Sequence, residues 1–216
     1  MFSFVLAMTA AFMAAPAIGA EVESGVASAM LARPIRRAEY LIGKWLGLVL
    51  LIASYAVVAG LVEIAVVGWL TGYTPVDPLG AVLYLAFEAI VLLTLALAIG
   101  TRLPAIAAGA IVVVIYGLTW VVGVMGGIGA FFRVPALVDA AVVARLLVPL
   151  DGLWRGVVWS LEPPVIVALG ANDPRIAGAN PFFASAPPAP AFIAWAILWT
   201  AAVLGIATVL FQRREL

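Results

Sequence analysis

Residues 45–70 read WLGLVLLIASYAVVAGLVEIAVVGWL and carry one charge, Glu63. At about 1.5 Å per residue a helix of this length exceeds the roughly 30 Å of hydrocarbon in a bilayer. A water-facing helix keeps a polar face opposite its apolar stripe, and this stretch has none. In lipid the backbone must satisfy its own polar groups, so such a run crosses as a continuous helix. Four further runs have the same character: about 1–20, 79–100, 104–127 and 191–211. The expected fold is an all-α integral membrane bundle of about five transmembrane helices, forming a single domain over 1–216.

Composition agrees. The chain is 66% hydrophobic and 10% charged, too little charge to cover a water-facing surface. Eleven basic and eleven acidic residues cancel, so no charge excess points to nucleic acid. The chain has no Cys and no His. Disulfides, thiolate or imidazole metal sites and Cys or His nucleophiles are therefore excluded, and no cofactor is expected. No GxxxxGK[ST] loop occurs, so ATP is not held through that element.

The first run ends Ala15-Pro-Ala-Ile-Gly-Ala20, which imitates a signal-peptide cleavage site. Residues 1–20 hold no Lys or Arg, and a signal peptide needs a positive n-region. A retained helix is expected. Basic residues then set orientation. Arg33, Arg36, Arg37 and Lys44 lie in 21–44, Arg102 in the next connection on that side, and Arg213 and Arg214 in the tail. Alternation through five spans puts all of them on one face, expected to be cytoplasmic in a plasma membrane. The N-terminus and the segment 128–190 fall outside.

The stretch Glu21–Lys44, EVESGVASAMLARPIRRAEYLIGK, is the most informative polar segment. Val22, Val26, Ala29 and Met30 predict a short amphipathic helix over 21–32 with Glu21 and Glu23 in its first turn, where negative charge suits the dipole. Pro34 ends that helix and starts a second, giving a helix–break–helix elbow. Two readings are open: a basic loop that fixes topology and touches lipid headgroups, or a docking element for a cytoplasmic partner, which small residues would approach closely.

The run E-x-E-x-G, then R-P-I-x-R-x-E-Y, then G-K resembles the cytoplasmic loop of type-two ABC transporter permeases. The tail Phe211-Gln-Arg-Arg-Glu-Leu216 resembles the family's usual ending. The outer run Leu147-Val-Pro-Leu-Asp-Gly-Leu-Trp-Arg155 is similar to a branch that includes the nitrous-oxide-reductase maturation permease. The resemblance implies that the elbow is a coupling helix seated in a separate ABC ATPase subunit. It assigns ATPase coupling to Glu21, Glu23, Gly25, Arg33, Pro34, Arg36, Arg37, Glu39, Gly43 and Lys44. It also implies a second permease copy as partner, ATP hydrolysis in the other polypeptide, and membrane lipid as surroundings. Members usually have six spans, so the first is expected to be missing here. The leading expectation is the permease subunit of an exporter. The alternatives are a non-transporting anchor or assembly factor, and an intramembrane enzyme; a Glu63/Glu88 pair alone supports the last poorly.

Glu63 and Glu88 lie within spans, where a carboxylate costs about 2.5–3.5 kcal/mol at the bilayer centre. Both fall at similar depth on antiparallel neighbours and could line one cavity, as pathway residues or as structural hydrogen-bonding groups. In the outer segment, Ala136–Leu150 and Gly152–Leu161 are expected as two interfacial helices on the outer leaflet, Trp154 and Trp159 favouring headgroup depth. A lid over an exit path and a re-entrant hairpin around Val157–Leu169 are the alternatives. Gly117, Gly123, Gly126, Gly127 and Gly129 permit close helix contact.

Overall fold

The apolar runs all become helix in the computed structural model. It describes residues 2–26, 30, 35–172, 180, 183, 184 and 186–214, with backbone alone for Phe2, Glu23 and 170–172. Among the described residues the order is α1 (Phe2–Ala14), α2 (Pro16–Glu23), α3 (Arg37–Thr71), α4 (Pro78–Gly100), α5 (Ala105–Phe132), α6 (Pro135–Leu147), α7 (Leu150–Leu161), α8 (Pro164–Asn172) and α9 (Pro190–Gln212), with no strand. Among the described residues five stretches are long and apolar enough to cross a membrane: Ser3–Val22, α3, α4, α5 and α9. The fold is therefore an all-α integral membrane bundle, as expected. In its most apolar window α4 is 67% buried, against 17% for α3 and for α9.

Several boundaries differ from the expectation. Glu21 and Glu23 close α2 rather than open a new helix. Pro16 at the first helical position restarts the chain, and Gly25 stops it at φ +75°, its N–H donating to Val22 O at 3.2 Å. That is a glycine C-cap with one of the Schellman bonds. Val26 and Met30 are again helical, and α3 begins at Arg37, three residues beyond Pro34. Arg33 and Pro34, like residues 27–29, 31 and 32, lie outside the described residues. Downstream, α5 continues past Gly127 to Phe132. It ends on Arg133 at φ 58°, with Val134 N–H donating to Gly129 O at 2.8 Å, the longer Schellman bond. Pro135 opens α6 directly after it.

The contacts divide into two units. One comprises Met1–Ser54, Ala89–Ile115 and Ala194–Leu216; the other comprises Tyr55–Glu88 and Tyr116–Ile193. In the first, Gly100 meets Ala15 so closely that a Cβ on it would stand 2.6 Å from Ala15 O. Trp45 Nε1 donates to Thr94 Oγ1 at 2.8 Å, tying α3 to α4.

In the second unit the outer segment departs most from expectation. A Cβ on Gly129 would strike Leu137 and one on Gly126 would strike Ala141, while Gly123 lies against the Asp151 carboxylate. Contacts that run backwards along α5 as they run forwards along α6 mean that α6 returns antiparallel to α5. The turn into α7 then lies beside Gly123, roughly 13 Å inside the end of α5 at about 1.5 Å per residue. From there α7 runs out along α4. Tyr84 covers Gly156, Asp77 N–H donates to Ser160 O at 3.3 Å, and Tyr73 Oη donates to Leu161 O at 2.8 Å. Leu150, Asp151, Gly152, Leu153, Gly156, Val157 and Ser160 are buried. The two helices expected over 136–150 and 152–161 form a hairpin that packs on α5 and α4. It is built from 135–161, earlier than the 157–169 considered as an alternative.

Candidate functional site

Two constellations of charge carry the chemistry, one in each unit. The elbow comes first. Negative charge at the end of α2 opposes the helix dipole, and the fold answers it locally. Lys44 and Tyr40, both on the first turns of α3, donate to the two carboxylate oxygens of Glu21, and Lys44 Nζ also reaches Ala17 O at 3.0 Å. Tyr40 stacks on Phe211 at 5.9 Å between centroids. The two legs of the elbow are thus joined by one carboxylate.

The start of α3 is fixed from its own residues. Glu39 accepts from the Arg36 N–H at 3.2 Å, the reach-back half of a capping box. Arg37 Nη1 donates to Gln212 O at 3.1 Å and Arg214 O at 2.6 Å, and Arg214 Nη1 donates to Thr101 O at 2.7 Å. The basic segments assigned to one face by sequence (start of α3, turn 101–103 and tail) do converge in this unit.

Of the residues given to ATPase coupling, Glu21, Arg37, Glu39 and Lys44 therefore have bonds within the chain. Gly25, Arg36 and Gly43 are exposed, and nothing lies within 4 Å of where a side chain on Gly25 or Gly43 would stand. The elbow also exposes apolar side chains: Val26 44%, Met30 50%, Ile35 44%, Ile42 39%. Glu23 is described by backbone only, and Arg33 and Pro34 not at all.

The second constellation lies where the hairpin turns. Arg145 and Arg155 both bind Asp151 Oδ2, through Nε at 2.9 and 3.1 Å, with Arg145 Nη2 at 2.8 Å. Arg155 Nη2 also donates to Gly123 O at 2.9 Å and Nη1 to Phe183 O at 3.4 Å. Asp151 is 4% exposed and Glu88 2%. Among the described residues both Glu88 oxygens and Asp151 Oδ1 have no hydrogen-bond partner, and the two acids lie within electrostatic range of each other. Glu63 is exposed on α3. Of the two acids expected to share a cavity, Glu88 is buried within electrostatic range of Asp151, and Glu63 is exposed.

Sequence reading missed Asp151, Arg145 and Arg155 as a group, although Asp151 and Arg155 sit four apart on one helix. At the outer end of the hairpin, burial pushes the Glu162 carboxyl up, moderated by the Ala184 N–H that donates to it at 3.4 Å. Burial, and then the Glu162 charge, raise the Tyr73 hydroxyl. Among the described residues no group of three or more Asp or Glu could hold a metal ion.

A family model described as ABC-2 family transporter protein matches residues 1–216. No curated protein and no solved structure matches the chain.

Proposed function

The chain belongs to the ABC-2 family of transporter proteins, and from that premise we propose that it drives export by seating its elbow, residues 21–44, in a separate cytoplasmic ABC ATPase. The family and the five apolar helices make it a multi-pass membrane permease subunit, a transport component rather than a catalytic one. The finer reading adds an N-terminus outside, the basic ends inside, a second permease copy, and residence in the plasma membrane. ATP-driven closure of the ATPases would displace the elbow and shift the spans between inward- and outward-facing states.

One observation carries the reading. The elbow is braced from behind by Glu21, Lys44 and Tyr40, yet it exposes Val26, Met30, Ile35, Arg36, Ile42 and Gly43. Exposed apolar side chains and an exposed cation on one segment supply apolar contact and a charge to set register, the ingredients of a docking patch. Arg36 orients the docking, with Arg33 and Glu23 joined to it by the sequence resemblance alone; Arg37, Glu39, Glu21 and Lys44 hold the elbow's shape. Of the two intramembrane acids, Glu63 is the one a substrate or second chain can reach, and Glu88 belongs with the hairpin cluster.

The test is co-purification from detergent or nanodiscs with a co-expressed ABC ATPase. Capture is expected, with Arg36→Glu lowering it roughly tenfold. Capture unchanged by that reversal would remove the elbow as the docking surface.

A further inference from the structure

The last carbonyls of a helix lack partners within it and attract cations. The C-terminal ends of two helices in the first unit are met in this way by arginines from elsewhere in the chain. At the end of α9, Gln212 O and Arg214 O both accept from Arg37, the first residue of α3. Beyond the end of α4, Thr101 O accepts from Arg214. The bonds form a series: elbow leg, Arg37, tail, Arg214, turn between α4 and α5. Each link is a charge-assisted hydrogen bond, stronger than a neutral one.

We propose that Arg37 and Arg214 are positioning residues that form a strut, making the start of α3, the end of α9 and the turn 101–103 move as one piece when the elbow is displaced. The inference rests on the docking reading and deepens it. A cytoplasmic motor that pushed the elbow alone would flex the 35-residue α3 at its base. With the strut in place the same push reaches the ends of α4, α5 and α9, three of the spans that have to rearrange. Tyr40 stacked on Phe211 supports the same junction with an apolar contact. Loss of the Arg214 link would leave the docking patch intact, because Arg36, Val26 and Ile35 take no part in it.

The experiment uses the full chain with its ATPase in nanodiscs. Because the sequence has no cysteine, spin labels can be placed at exposed Leu46 and Leu103 without background. In the unsubstituted chain the distance between them is expected to stay fixed when ATP and vanadate trap the ATPases closed. Arg214→Ala is expected to capture the ATPase as the unsubstituted chain does. Its 46–103 distance should shift or split on trapping, and the permease's stimulation of ATP hydrolysis should fall about tenfold. Arg214→Lys, which keeps a cation for Thr101 O, should restore both. A 46–103 distance that stays fixed in Arg214→Ala would reduce the strut to ordinary helix capping and overturn the inference. Absence of ATPase capture by every chain, the unsubstituted one included, would overturn the docking reading instead, and the strut with it.

Discussion

Asp151→Ala is expected to destabilise the folded chain by about 3–5 kcal/mol, the cost of removing one member of a buried ion pair. Two guanidinium groups converge on Oδ2, and their side chains are only 30% and 20% exposed. Removing the carboxylate leaves both without their acidic partner at a turn that lies roughly 13 Å inside the end of α5. Glu88 lies within electrostatic reach of Asp151, but it sits on a different helix, so its help requires the hairpin to move. Arg155 would keep its bonds to Gly123 O and Phe183 O, whereas among the described residues Asp151 is the acid that holds Arg145. Thermal unfolding in nanodiscs, followed by tryptophan fluorescence, measures the effect. Asp151→Glu, which keeps the charge, should recover part of the loss. An Asp151→Ala protein that melts with the unsubstituted chain would show that the hairpin does not depend on its ions.

The second large effect is steric. Gly126→Val places a branched side chain where a single Cβ already collides with the Cβ of Ala141. Both atoms are fixed to backbone, so neither can rotate away, and α6 has to lift from α5. Overpacking of this kind costs about 1–3 kcal/mol, and here it opens the whole hairpin. Gly117, on the same helix, has nothing within 4 Å of its Cβ position. Gly117→Ala is therefore expected to be neutral or to gain up to about 1 kcal/mol from helix propensity. Hydrogen exchange over 135–161 reads the difference: faster in Gly126→Val, unchanged in Gly117→Ala. Equal exchange in the two variants would mean that the glycines serve generic helix packing rather than the return of α6.

The spans were legible because each is a long run whose apolar character needs no partner to be recognised. The hairpin was not, for a physical reason. Asp139, Arg145, Asp151 and Arg155 make residues 135–161 read as a polar exterior, yet Asp151 binds both Arg145 and Arg155 inside the fold. Charges that cancel by pairing cannot be told from charges that meet water when only a local window is read. The clue was on α5, where Gly123, Gly126 and Gly129 recur every three residues and so share a helix face. That spacing marks a close neighbour without saying which segment it is.

The elbow was half legible. It lies between two helices, and Arg36 on it is exposed. The work of Arg37 was hidden because its acceptor Arg214 O lies 177 residues away in sequence. Glu39 capping Arg36 was a local signal, three residues apart, that the emphasis on docking charges passed over. Glu63 and Glu88 matched in depth by counting residues, but counting does not fix which face of each helix meets the core.

The docking reading is tested most directly at position 36, where Arg36→Cys introduces the chain's one thiol. In oriented membrane vesicles a membrane-impermeant maleimide should reach it only from the face that binds the ATPase, and bound ATPase should block the reaction. Labelling from the opposite face, or at an undiminished rate with ATPase bound, would contradict the account.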